Sequence, residues 1–499
     1  MKHIAIIIVV IGLCLRVNGQ ESINREKVLA TMINAADYMA NTVSMNGGYV
    51  HMYSEDLSVR MGEGYARESQ IWIQSSTPRM GHIYLDAYEV TAEPKFLEYA
   101  KDVANALIAG QHSAGGWHYF VDFDPVGTQI WFDNISSQYV EGRQEHRYNF
   151  GNCTFDDNTT AGAATYLMRL YMSTLDPAYK ATLDKALNFV LEAQYPNGAW
   201  PQRYPLLDED TPLEFPKYPN LYTLNDGVHK NNIALMLEAF ENFGDERYLE
   251  AAKKGGRFLM ISQGPKEQAA WAQQFNFDLL PEWGRTHEPA AYMPRVTRNA
   301  IEILERIYLF TGDRRYLRPI EYAIDWLDKN YMDDLGNGVY NFPWYIEAGT
   351  NKIIDRIILE DKDKNGYALY DYFCYEKGKD YKYKKSKIDL THLKKQYSDI
   401  KNIDEDNRIP MYEKLYKKKK SYKKVSDQKV IDLIYSVNND GIWIEDFTYD
   451  AIEDPKTTKY DFDDGKGRYI HQKVSYTGIV TKTFMKNMNT MLSWIMYLD

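Results

Sequence analysis

Three short segments place carboxylates, amides and an arginine where a packed helix would not choose them. The first, Cys153-Thr-Phe-Asp-Asp-Asn-Thr-Thr160, opens an apolar helix. Capping accounts for one of Asp156 and Asp157, with Thr159 and Thr160 in the first turn. Two adjacent carboxylates plus Asn158 exceed what a cap requires, and hard oxygen donors of this kind suit Ca²⁺. The second, Leu221-Tyr-Thr-Leu-Asn-Asp-Gly-Val-His-Lys-Asn-Asn232, sets Asn225-Asp226 before another helix. This pair either caps that helix or adds oxygens to the same ion, should the fold bring both helix starts to one mouth. Lys230, four residues beyond Asp226, shares its face and serves either a ligand or a surface ion pair. The third is Ala270-Trp-Ala-Gln-Gln-Phe275 followed by Trp283-Gly-Arg-Thr-His-Glu-Pro289. Trp271 with Gln273 and Gln274 reads as a flat polar surface suited to a sugar. Arg285, between Trp283 and His287, lies in a loop that Pro289 keeps from being a helix interior. Its alternative is a structural ion pair with Glu288.

The elements that position these groups repeat along the chain. Glu93-Pro-Lys-Phe-Leu-Glu-Tyr-Ala100, Asp176-Pro-Ala-Tyr179, Asp245-Glu-Arg-Tyr-Leu-Glu-Ala-Ala252 and Asp313-Arg-Arg-Tyr-Leu317 share one pattern. Each is an acid, a short turn, an aromatic and then apolar residues at helical spacing. The aromatics are 83, 69 and 68 residues apart, which suits two helices and two loops per unit. A second piece recurs as Asn46-Gly-Gly-Tyr49, Ala114-Gly-Gly-Trp117, Asn197-Gly-Ala-Trp200 and Asn337-Gly-Val339. Glycine ends helices there, and the aromatic after it can fold back over helix ends. Helical hairpins that cannot bury their apolar faces alone must stack or close into a ring. The expected fold is therefore all-α, an α/α toroid or barrel of helical hairpins, with an irregular C-terminal extension.

The chain has 499 residues. Residues 1–19 read as a cleaved export signal, from Lys2 through the apolar run Ile4 to Leu15 to the small residues near Gly19. That run is about 18 Å long as a helix, short of a bilayer core of ~30 Å. Leu13 occupies the place where a lipoprotein signal needs a small residue before Cys14. Cleavage removes Lys2 and Arg16 and takes the formal charge from −11 to −13. An acidic chain has no general attraction for a polyanion, so an acidic substrate would need a local basic site or a bridging cation. Nucleic acid is not an expected partner, and the mature chain should be a monomer off the membrane. Cys153 and Cys374 remain, either as one bond or as two thiols. The catalytic part is expected over 20–345 and an extension over 346–499. Its segment 377–424 has 17 Lys or Arg against 7 Asp or Glu, which reads as a solvated face, a mobile insertion or a patch that grips a polyanion.

Taken together, Gln194-Tyr-Pro-Asn-Gly-Ala-Trp-Pro-Gln202, Phe155-Asp156, Asn225-Asp226, Trp271-Ala-Gln-Gln274 and Arg285-Thr-His-Glu-Pro289 resemble the family-ten pectate lyases. The likeness covers about residues 30 to 345. It implies a calcium-dependent, mainly helical enzyme that cleaves polygalacturonate by β-elimination. It puts Asp156 and Asp226 in the calcium-binding places and Arg285 in the place of the catalytic base. Asn158, Asn225, Lys230, Trp271, Gln273, His287 and Trp200 are expected around the substrate. Arginine is a demanding base because it stays protonated through the accessible pH range, and nearby cations would favour its neutral form. In the other assignment Arg285 neutralises charge while His287, Lys230 or hydroxide takes the proton. Two departures stand out: Asp157-Asn158 replaces an expected Asn-Gly, and Ala199 replaces a glycine. Rival readings are a toroid glycoside hydrolase, with Asp156 and Asp226 as its acid pair, and a glycan-binding surface protein. A terpene cyclase, also a toroid, is disfavoured by the export signal and the lack of an Asp-rich cluster on an apolar cavity.

Overall fold

The acid that opens each recurring segment caps a helix. Glu93, Asp176, Asp245 and Asp313 accept hydrogen bonds from the backbone N–H groups of Lys95, Ala178, Arg247 and Arg315. Each satisfies a donor that a helix start leaves open. The aromatics behind them, Phe96, Tyr179, Tyr248 and Tyr316, are buried.

These caps begin the second helix of each hairpin in a computed structural model that describes residues 23–62, 66–127, 152–208, 218–284, 288–362, 368–375, 385–417, 421–451 and 472–498. The export signal, Arg285 and His287 lie outside the described residues. After α1 (Arg25–Tyr38), the hairpins are α2 (Thr77–Thr91) with α3 (Pro94–Ala109) and α4 (Thr159–Thr174) with α5 (Pro177–Glu192). Two more follow: α6 (Val228–Phe243) with α7 (Glu246–Ser262), and α8 (Pro294–Thr311) with α9 (Arg318–Asn330). First helices pack side by side in the order α2–α4–α6–α8, with α3, α5 and α7 layered outside them. The last third supplies α10 (Leu390–Lys401), α11 (Glu405–Tyr416), α12 (Asp427–Tyr435) and α13 (Thr481–Ile495). Of these, α11 packs on α8, α12 on α13, and α13 on α2, carrying the ring from its last hairpin back to its first. Residues 472–480 also form a strand that pairs with 445–451 and with Met52–Ser54. The architecture is all-α, an α/α toroid. Cys153 is buried, Cys374 is exposed, and both are free thiols.

Two side-chain devices recur from unit to unit. The indole N–H groups of Trp117, Trp200 and Trp271 donate to the carbonyls of Leu107, Val190 and Leu259, each at 2.9 Å. Those carbonyls lie toward the ends of α3, α5 and α7, so each tryptophan folds back over the helix before it. The second device is a glutamine amide that bridges to the next unit. Gln111 donates to Gly115 and Thr182, Gln194 to Gly198 and Ala251, and Gln263 to Ala269 and Pro319.

The turn before Trp200 is sterically closed. Gly198 has φ +100°, and a Cβ there would sit 2.0 Å from the Lys254 carbonyl oxygen. Gly244 has φ +69° with open space around it. Gly244→Ala should therefore cost about 1–2 kcal/mol, the left-handed penalty alone. Gly198→Ala should cost several times that, because backbone on two units must move. Denaturant unfolding of both variants checks the ordering; equal losses would contradict the packing.

Within the ring, Glu305 of α8 is fully buried, and the Gln396 side-chain amide donates to it at 2.6 Å. Burial pushes its carboxyl from the ordinary 4.5 up to about 8, with Glu302 adding to the shift and Gln396 opposing it. The folded state thus holds a proton that the unfolded state releases. This contribution to stability is full below about 4.5 and is lost as pH rises through about 8. Glu305→Gln should flatten that loss, making the variant relatively more stable at pH 9 than at pH 5. Melting curves at both pH values measure it.

Candidate metal centre

The ring's mouth is built from four loops, three of which share one wiring. The N–H of Tyr49, Trp117 and Trp271 donates to the hydroxyl oxygen of Thr77, Thr160 and Thr297, within the first turn of α2, α4 and α8. The fourth unit uses His229 in place of threonine, edge-on to Trp200 with ring centroids 5.2 Å apart. Burial drives its imidazole down to about 4, so it is neutral and its Nε2–H donates to the Gly255 carbonyl. Two residues beyond each tryptophan, a carbonyl holds the helix-entry turn of the preceding unit. Tyr119 accepts from Ile73 and Gln74, Gln202 from Phe155, and Gln273 from Leu224 and Asn225.

This wiring sets the phase of the entry turns. Three residues before Thr77, Thr160 and His229 stand Gln74, Asp157 and Asp226. Asp157 has φ 47° followed by Asn158 at 62°, and Asp226 has φ 44° followed by Gly227 at 78°. Asp and Asn tolerate this left-handed region better than most residues, at about 1–2 kcal/mol each. Asp157 is therefore the counterpart of Asp226 one unit earlier, and Asp156 is the counterpart of Asn225.

One carboxylate oxygen from each of Asp156, Asp157 and Asp226 lies within 4.8 Å of the others. Three like charges that close repel unless a proton or a cation joins them. Oxygens bound 2.3–2.6 Å from one Ca²⁺ lie at most about 5 Å apart, so this donor set fits calcium in both chemistry and spacing. The carboxylates are held from behind. The Tyr119 hydroxyl donates to Asp156 Oδ2 at 2.5 Å, and Gln74 Nε2 donates to Asp157 Oδ2 at 2.6 Å. Fully buried Arg203 lies over the Tyr119 ring at 5.1 Å, and its Nη1 is 3.2 Å from His118 Nε2. Arg295, at the start of α8, sits 3.9 Å from Asp226 Oδ1 and donates to Asn225 Oδ1 at 3.4 Å.

The expected residues thus divide. Asp156 and Asp226 come together, with Asn158 and Asn225 in their turns. Gln273 supports the Asp226 turn through its backbone, and its side chain is buried. Lys230 is ion-paired with Glu302 at 2.9 Å instead of with Asp226. Trp200 and Trp271 correct the expectation of ring faces offered to a sugar: both are fully buried, their N–H groups spent on helix carbonyls. Asp157 was visible as one carboxylate too many for a cap. Gln74, Tyr119 and Arg295 were not singled out, although the fixed offset from Thr77 marks Gln74 and the offset from Trp117 marks Tyr119.

Residues 127–341 match the family model described as pectic acid lyase. No curated protein matches the chain. Among solved structures, a mutant of the family 10 polysaccharide lyase from Cellvibrio cellulosa, in complex with trigalacturonic acid, is 17% identical. That match covers 59% of this chain and 89% of that one, with a TM-score of 0.38. A sugar epimerase from a ruminal bacterium is 10% identical over 95% of this chain and 98% of its own, with a TM-score of 0.44. The alpha-1,6-mannanase of a Salegentibacter species is 12% identical over 94% and 99%, with a TM-score of 0.37. From residue 127 to 341, then, this chain is similar to the pectic acid lyases, and all three clustered carboxylates fall inside that stretch.

Proposed function

We propose that this protein is an exported, calcium-dependent pectate lyase that cleaves polygalacturonate by β-elimination to 4,5-unsaturated oligogalacturonides. The observation that carries the reading is the convergence of Asp156, Asp157 and Asp226 from two adjacent helix starts. Its setting, a stretch similar to pectic acid lyases, supports the substrate class. Calcium held by those carboxylates supplies Lewis-acid stabilisation for the charge that builds on the sugar's carboxylate as C5 loses its proton.

The chain's own residues do the rest. Tyr119 and Gln74 fix the Asp156 and Asp157 carboxylates by one oxygen each, which limits their movement when ligands exchange. Arg295 offsets negative charge beside Asp226. Arg285, in its neutral form, takes the proton from C5. The electrons of that bond form the C4–C5 double bond as the C4–oxygen bond breaks, and the leaving oxygen is protonated. A neutral guanidine is favoured by alkaline conditions, so activity should rise with pH.

Polygalacturonate incubated with Ca²⁺ at alkaline pH should gain near-UV absorbance from the conjugated new ends. Chelator should abolish the gain and added Ca²⁺ restore it. Asp157→Asn and Asp226→Asn should each raise the calcium concentration needed for half-maximal rate by about tenfold or more. Full activity in chelator would remove the metal from the reading. New reducing ends without absorbance would instead identify a hydrolase.

Arg285→Ala should lower kcat by at least about a hundredfold, the usual weight of a general base, while polymer binding stays near wild type. A variant that keeps a tenth of wild-type kcat would show that the proton goes elsewhere.

A further inference from the structure

A small open cleft of about 100 Å³ lies beside the acid cluster, shares Asp157 with it and is lined by the neighbouring Asn158. Its far wall is the start of α2, contributing Ser75, Arg79 and His82, and Gly162 of α4 lines it as well. Arg79 lies in the first turn of α2, is exposed, and makes no ion pair or hydrogen bond among the described residues. Arg169, one turn beyond the lining residue Thr165 on α4, donates to His82 Nδ1 at 3.3 Å and pairs with Asp86 and Glu89, so it is committed elsewhere. The space is kept open at Gly162, where an added Cβ would meet Asn158 Nδ2 at 3.0 Å. Arg79 also precedes residue 127, where the match to the pectic acid lyase model begins, so that match assigns it no role.

We infer that this cleft is a carboxylate-binding subsite in which Arg79 grips a uronate one or two rings from the residue at the acid cluster, an inference that rests on the proposed function. Every ring of the polymer carries an anion. The ring at the cluster is matched by the metal the carboxylates hold, whereas its neighbours have no such partner and must be matched by the protein. A guanidinium suits this task because it forms two parallel hydrogen bonds to a carboxylate and, exposed to water, keeps its charge. Asp157 and Asn158 join the two places, so one chain can span both without leaving the mouth. Ser75, with φ 58°, is the α2 counterpart of Asn158 at 62° and lines the same cleft.

The test compares wild type, Arg79→Ala and Arg79→Lys on polygalacturonate with Ca²⁺, together with calorimetric titration of trigalacturonate. Arg79→Ala should raise KM and weaken trigalacturonate binding by about tenfold or more, the weight of one charge-assisted pair. Its kcat should change less than its KM, and its binding should depend less steeply on salt. Arg79→Lys should recover part of the affinity by restoring the charge without the bidentate geometry. An unchanged melting temperature separates this effect from a structural one, since Arg79 is exposed. Wild-type cleavage combined with wild-type KM and affinity in Arg79→Ala overturns the subsite alone. Failure of the wild type to bind or cleave the polymer overturns the proposed function and the subsite together.

Discussion

A loop amide bonded to a hydroxyl one turn inside the next inner helix is the contact on which the mouth of the ring depends. It occurs at Tyr49–Thr77, Trp117–Thr160 and Trp271–Thr297. Two residues further on, a carbonyl reaches back to the entry turn of the preceding unit. Each entry turn is thus clamped between its own helix and the strand of its neighbour. Buried backbone groups left unpaired would cost about 1–3 kcal/mol each, so the clamp cannot slip by one residue cheaply. That rigidity lets two turns on different units hold carboxylates a few ångströms apart against their mutual repulsion. It also explains why the tryptophans are buried: their rings brace the loops that carry the clamp.

The cluster concentrates acid in an already acidic chain, and neutral donors hold one oxygen each of Asp156 and Asp157. Tyr119 and Gln74 fix orientation without cancelling charge. A lysine or arginine in either place would neutralise the cluster and compete with a cation for the same oxygens. Among the described residues, Arg203 lies behind Tyr119 and Arg295 is 3.9 Å from Asp226. Such an arrangement lowers the repulsion yet leaves carboxylate oxygens suited to a divalent ion.

Much of the scaffold was legible because its signals are local. An acid two residues before a bonded N–H, an aromatic behind it and a glycine with positive φ each act within a few positions, so the hairpin repeat could be read directly. The candidate site was legible in its residue types but not in its phase. Asp156 and Asp157 are adjacent, and only the offset from Thr160 shows that Asp157 is the one matched to Asp226. Trp271 misled for a related reason: beside Gln273 and Gln274 it reads as a ligand platform until its N–H is traced to a helix carbonyl. Ring closure was hidden because it joins distant parts of the chain. Met52 pairs with Val480, and α13 packs on α2 across some 400 residues of sequence.

The repeat also dictates how charge is distributed along the mouth. At one equivalent position successive units place Gln74, Asp157, Asp226 and Pro294, the last followed by Arg295. The two inner units carry the acids, while the flanking units carry cations nearby, Arg79 on α2 and Arg295 on α8. A ring with identical units would surround any ligand with the same group at every step and could not favour one point on a polymer. Divergence at this single position, within a wiring that stays constant, gives the mouth an acidic centre and basic edges. For a chain of like-charged rings, that pattern makes the centre the place where a bound divalent ion matters most and the edges the place where the protein's own cations suffice.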